Sequence, residues 1–148
     1  MTQLTLARPE NTDLLCRLLT DSHTERGLDL SPDARRAALV PLLEGSHHGV
    51  AYLIGPVRAP IGFAILGFGW SVTLGGLTGT VDEIYIRPGV RGRGIGSEVL
   101  TSLPKALAGA GLVALHVDLG PADTRAERFF TRLRFRAATG TARMTRPL

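Results

Sequence analysis

Val81-Asp82-Glu83-Ile84-Tyr85-Ile86-Arg87-Pro88-Gly89-Val90-Arg91-Gly92-Arg93-Gly94-Ile95-Gly96 is the stretch that decides the fold. It reads as a strand stopped at Pro88, a turn carrying Gly92, Gly94 and Gly96, and the start of a helix. The first N–H groups of a helix have no internal partner, and glycines let the backbone come close to a ligand. Such a turn forms an anion nest, reinforced by the aligned helix amides, and Arg91 and Arg93 add positive charge beside it. Two other phosphate loops fit poorly. A P-loop requires Gly-Lys-Ser/Thr after its glycines, which is missing here. The dinucleotide fingerprint requires G-x-G-x-x-G, whereas this chain has G-x-G-x-G two-thirds of the way along, after strands that should be antiparallel.

Working outward, residues 3–7 alternate as a first strand stopped by Pro9. Glu10-Asn11-Thr12-Asp13 offers a helix start, followed by the stripe Leu14, Leu15, Leu18 and Leu19 and by Gly27 beyond the end. Ser31-Pro32-Asp33 starts a second helix, in which Pro41 is expected to bend or shorten the last turns. Strands are predicted at 48–54, 61–68 and 80–87, joined by Gly- and Pro-rich connections. A helix follows over 94–110, with a kink or early end expected at Pro104. Then come a strand at 112–118, a helix at 122–133, and a final strand pair, 135–138 with 142–145. Short connections make the three middle strands antiparallel, and the helix after them can carry the next strand in parallel. The result is a mixed α/β fold: a mostly antiparallel sheet flanked by helices, in one domain spanning 1–148.

Composition agrees with a globular chain. Of 148 residues, 44% are apolar and 20% charged, enough to form a core without disulfides or metal. The single cysteine, Cys16, lies in a leucine-rich helical run and fits a packing role in a reducing cytoplasm. Arg8, Glu10 and Asp13 interrupt any apolar opening, so no secretory signal is expected, and no run is long enough to span a membrane. His47 and His48 are neighbours on a strand and point to opposite faces, so no metal site is expected. The net charge of +4 is uneven. Six basic and nine acidic side chains lie in residues 1–86, against eleven and four in 87–148. That split suits a polyanionic small ligand in one half and a cationic one in the other. A nucleic-acid-binding module is the rival, but the aromatics do not interleave with the arginines.

The central stretch resembles the acetyl-CoA-binding motif of the GNAT superfamily of N-acetyltransferases, Arg/Gln-x-x-Gly-x-Gly/Ala, with Arg91, Gly94 and Gly96 at its fixed positions. The resemblance extends over nearly the whole element order. Downstream, Asp123-x-x-Ala126-x-x-Phe129-Phe130-x-x-x-Arg134-Phe135 is similar to the family's second cofactor segment, which usually reads Asn-x-x-Ala, an aromatic pair ending in Tyr, then Gly-Phe. The resemblance implies a GNAT-like fold and transfer of acetyl from acetyl-CoA to a primary amine of a small molecule or peptide, directly, in a ternary complex. It implies cofactor contacts from the backbone of Ile84 and Ile86, from Arg91, Gly92, Arg93, Gly94, Ile95 and Gly96, and from Asp123 and Phe130. It further implies that the strands at 80–87 and 112–118 part to admit the thioester, and that paired C-terminal strands support a homodimer.

Glu83 is the preferred general base, with Asp82 next if the register slips. Strand alternation places Val81, Glu83, Tyr85 and Arg87 on one face. Burial of an unpaired acid on a central strand favours its neutral form, the tuning a base needs near neutral pH. Phe130 stands where the family often has the tyrosine that protonates the departing thiolate, and it can donate no proton. Tyr85, on the Glu83 face, is the candidate substitute. A catalytically weak acetyl-CoA-binding regulator is the alternative that this replacement supports. Asp123, near a helix start, can cap that helix instead of touching cofactor. Acidic residues Asp21, Glu25, Asp29 and Asp33, with His23 and Arg26 among them, lie in the helical region that usually forms one acceptor wall. Phe68 and Trp70 either line that pocket or pack.

Overall fold

A computed structural model describes residues 2–148. The chain runs β1 (Leu4–Leu6), α1 (Thr12–Arg26), α2 (Pro32–Leu43), β2 (Gly49–Ile54), β3 (Gly62–Ser71), β4 (Gly76–Ile86), α3 (Ile95–Ala106), β5 (Leu112–Val117) and α4 (Thr124–Arg132). It divides into two compact units, Met1–Asp118 and Leu119–Leu148, the first holding the sheet with α1 to α3 and the second holding α4.

The sheet order is β1-β2-β3-β4-β5. The first three pairings are antiparallel and β4–β5 is parallel, with α3 as the crossover the expected order required. Local chemistry sets the helix ends. The Ser31 hydroxyl accepts from the Ala34 amide at 3.1 Å, with Pro32 in the first turn of α2. Gly27 ends α1 in the left-handed region at φ 69°, and the next amide, Leu28, returns to the His23 carbonyl at 2.9 Å. Leu15, Leu18 and Leu19 of α1 and Leu39 and Leu43 of α2 pack on Leu53, Phe63, Ile65 and Tyr85 of the sheet. Each such leucine contributes about 2 kcal/mol through burial. Ala64, Leu66 and Val81 of the sheet are buried as well, as are Val99, Leu100 and Leu103 of α3. Burial at the successive positions Phe63, Ala64, Ile65 and Leu66 means that both sheet faces are covered.

Four details depart from the sequence reading. First, β3 and β4 extend into a longer hairpin, so Gly76 and Gly79 lie in a strand that glycine content had disguised. Second, α3 ends at Ala106 and not at 110, which is the early end expected at Pro104 with its missing N–H, and Ala108–Ala110 continue as a 3-10 turn. Pro41, by contrast, lets α2 run on to Leu43.

Third, no strand forms beyond residue 133 among the described residues. Phe135-Arg136-Ala137-Ala138 and Ala142-Arg143-Met144-Thr145 offer one large apolar side chain each, and an isolated two-stranded ribbon is marginal in water. Fourth, the alternation of β4 is broken by a bulge. Ile65 pairs with Glu83 and Leu66 with Val81, so Asp82 is the extra residue. Paired residues share a face, so Val81 lies on the Leu66 face, opposite the one that carries Glu83 and Tyr85.

Candidate active site

The β4–β5 ladder ends at Val81 and Val117, and residues 82–86 run on along that edge without a strand partner. On the other edge, the Arg87 amide donates to the Ile61 carbonyl at 2.8 Å. Antiparallel bonding alternates along the ladder, so the main-chain groups of Glu83 and Tyr85 also point at β3. Those of Ile84 and Ile86 therefore face the open edge. The Ile86 carbonyl is taken by Arg91 Nε at 2.8 Å, which leaves both groups of Ile84 and the amide of Ile86. An extended ligand bearing its own amides could bond to them.

At the end of β4 the chain makes a 3-10 turn, Pro88–Val90, and passes through Gly92 (φ 79°) and Gly94 (φ 77°) into α3. A side chain at either glycine would meet open space, so these positions are set by the left-handed backbone and not by crowding. Gly94 is the cap residue and supplies no side-chain bond, while its carbonyl already receives the Glu98 amide at 3.0 Å. Among the described residues, the six amides of residues 92–97 donate to no protein acceptor. They form a concentrated set of free N–H groups at the positive end of a helix dipole. This fits a diphosphate.

Arg91 is engaged elsewhere. Its guanidinium forms a two-pronged pair with the Glu25 carboxylate, at 2.7 and 2.8 Å, and lies 5.6 Å from the centre of the Tyr85 ring. It thus ties the last turn of α1 to the glycine turn. That hydrogen bond holds the Glu25 carboxyl below its ordinary 4.5. An acid lowered in the folded state contributes stability above its ordinary range and loses it as pH falls, so the tie is intact at neutral pH.

Glu83 is mostly buried, and it is not unpaired. Its Oε1 accepts from His23 Nε2 at 2.8 Å and from Arg26 Nη1 at 2.9 Å. On the far side of the ring, Arg35 Nε donates to His23 Nδ1 at 3.0 Å. His23 and Arg35 are 4% and 7% exposed, which makes this a buried relay across α2, α1 and β4. The sequence places His23 and Arg26 in the acidic helical region but does not join them, or Arg35, to Glu83. The signal was helical spacing: His23 follows Leu19 by four, and Arg35 precedes Leu39 by four, so both lie on the core-facing stripe of their helices.

Tyr85 shares the Glu83 face and packs on Phe63, ring centres 5.9 Å apart. Burial first, then Asp21 and Glu25, raise its phenol above the ordinary 10.0, so it keeps its proton at neutral pH. Asp82 is exposed at the bulge. Trp70 is 72% exposed near the tip of the β3–β4 hairpin and does not pack, while Cys16 lies partly buried against the core. Among the described residues, no three His, Cys, Asp or Glu side chains are placed to hold a metal ion, and no helix is long and apolar enough to cross a membrane.

In the second unit, Asp123 acts as the cap of α4, its Oδ1 accepting from the Ala126 amide at 3.0 Å. Phe130 sits edge-on between Phe129 and Phe135, at 5.1 and 5.3 Å. Arg134 adopts φ 70°, the conformation a glycine would take without strain, at a cost of about 1–2 kcal/mol.

Within this element order an open strand edge lies beside a turn of free amides, an arrangement suited to an extended, amide-bearing anion. The acetyltransferase (GNAT) family profile matches residues 12–135, and the chain belongs to that family. A mycothiol acetyltransferase from Frankia alni (strain DSM 45986 / CECT 9034 / ACN14a) is 40% identical over 111 residues, covering 72% of this chain and 31% of the relative. The chain therefore spans about a third of that relative's length. A solved structure from Arthrobacter sp. FB24, assigned as an acetyltransferase, is 30% identical with a TM-score of 0.81, covering 99% of this chain and 96% of the other. A protein from Clostridium acetobutylicum, solved with acetyl-CoA, shares the fold at 14% identity and a TM-score of 0.78, over 98% and 96% of the two chains.

Proposed function

We propose that the chain, as one domain over residues 1–148, transfers the acetyl group of acetyl-CoA directly to a primary amine of a small molecule or peptide. The observation that carries this reading is the set of partnerless amides at residues 92–97, next to the open edge of Ile84 and Ile86. Acetyl-CoA supplies an activated thioester, and the protein binds and orients it. The six amides receive the pyrophosphate, the open β4 edge bonds the amide-bearing arm, and Arg93 adds charge at the rim. Arg91 braces the turn through Glu25.

Glu83 is the base. Both of its donors fall on Oε1, so Oε2 is the oxygen that takes a proton from the incoming amine, directly or through water. The freed amine lone pair forms the new C–N bond as the C–S bond breaks, and the thiolate leaves with a proton from water or from Tyr85. Acidic Asp21, Glu25 and Asp29 near the C-terminal end of α1 favour a cationic acceptor by long-range field.

The test is thiol release from acetyl-CoA with spermidine, a lysine peptide and glucosamine as acceptors, followed by screening of the acceptor class of the mycothiol relative. Turnover lost in Glu83→Gln, with the affinity for CoA retained, supports the assignment. Turnover unchanged in that variant would remove Glu83 as base.

A further inference from the structure

We propose that His23 is a positioning residue for Glu83, its tautomer set by Arg35, so that one carboxylate oxygen is held and the other is presented to the acceptor amine. The inference rests on the base role given to Glu83 above. Its starting point is donor and acceptor chemistry. A guanidinium can only donate, so the 3.0 Å contact from Arg35 Nε requires a lone pair on His23 Nδ1. The ring is then neutral with its proton on Nε2, where Glu83 Oε1 accepts it at 2.8 Å. Neither ring nitrogen has a lone pair to spare, which excludes His23 itself as the base in this arrangement.

Three features point to orientation as the purpose. The relay is buried at His23 and Arg35, where apolar side chains would pack at lower desolvation cost. It draws on three elements, so Glu83 is fixed relative to two helices at once. Both donors, His23 and Arg26, converge on the same oxygen, and among the described residues Oε2 receives no bond. A carboxylate anchored by one oxygen keeps a defined direction for the other. The bulge at Asp82 is what turns Glu83 onto this face, so strand and relay act together.

The experiment compares the full-length wild-type chain with Glu83→Gln, His23→Leu and His23→Gln. It reads thiol release from acetyl-CoA with spermidine and with water alone as acceptor, together with melting curves. A glutamine can accept from Arg35 and donate to Glu83, whereas leucine can do neither. We expect His23→Leu to lower kcat about ten- to a hundredfold, the scale of a misplaced catalytic group, with KM for acetyl-CoA within about twofold. His23→Gln should restore kcat to within about threefold of wild type. If His23→Leu does not fold, the double variant H23L/R35M, which removes the orphaned guanidinium, takes its place with the same expectation.

A folded leucine variant with wild-type kcat and only a lower Tm would reduce the relay to a structural tie and overturn the proposal while Glu83→Gln stays inactive. A folded glutamine variant that gives no rescue would overturn it as well. If the wild type releases no thiol, or Glu83→Gln is fully active, the base assignment itself fails, a result distinct from either of these.

Discussion

The glycine turn and the Glu83 relay lie at the two ends of one short strand segment, and they are built on opposite terms. At the turn, among the described residues, six consecutive amides have no protein acceptor and no atom beyond the chain neighbours lies within 4 Å of where a side chain would start at Gly92 or Gly94. At the relay, the Glu83 carboxylate, the His23 ring and the Arg35 guanidinium already bond to one another. The turn has binding capacity because its backbone is left unsatisfied, and a polyanion is the partner its dipole favours. The relay has direction because its side chains are already satisfied. In the proposed function, binding and chemistry thus fall to different materials, main chain for the one and packed side chains for the other. Each region should fail in its own way.

The largest effect is expected at the relay. Glu83→Gln keeps the shape and both donors' neighbourhood but cannot take a proton, and it should lower kcat about a hundredfold or more, the range for loss of a general base. Steady-state thiol release measures it, with CoA affinity as the control that should not move.

A smaller effect of the opposite kind is expected at the turn. Gly94→Val places a branched side chain at φ 77°, where strain of about 1–2 kcal/mol pushes the backbone away from its native course. Calorimetry should show CoA binding weakened about tenfold, while kcat at saturating acetyl-CoA changes less than affinity does. Should kcat fall and affinity hold, the division of labour would be wrong. The smallest effect belongs to Arg26→Met. Arg26 is half exposed and shares its acceptor oxygen with His23, so its loss should change kcat by no more than about threefold.

The same contrast explains what could be read from the sequence. The turn is encoded within a few consecutive residues: the glycines set the backbone, the helix start follows, and the chemistry is that of the main chain. Its position, and the free amides on which the proposed anion binding rests, could therefore be read without knowing any tertiary contact. The relay joins residues 23, 35 and 83, which come together only when two helices pack on one strand. Glu83 could be nominated from its strand, but its partners could not. The bulge at Asp82 was equally hidden, because a single unpaired residue leaves no mark in an alternating string of Val, Ile and Tyr. The C-terminal strands failed for the reverse reason: two short segments around Gly140 suggested pairing that Phe135 and Met144, among small and charged residues, have too little apolar area to sustain. At Arg134 the sequence lacks the usual glycine, and the chain takes the left-handed turn regardless.

The central claim is that the free amides before and within the first turn of α3 hold the pyrophosphate of acetyl-CoA. A titration of the folded, isotopically labelled protein with CoA, followed by amide NMR, tests it most directly. Saturable shifts are predicted for Gly92, Arg93, Gly94, Ile95, Gly96 and Ser97, matched by heat in calorimetry and joined by Ile84 and Ile86 on the open edge of β4. Saturating CoA that leaves those amides unmoved and produces no heat would contradict the account.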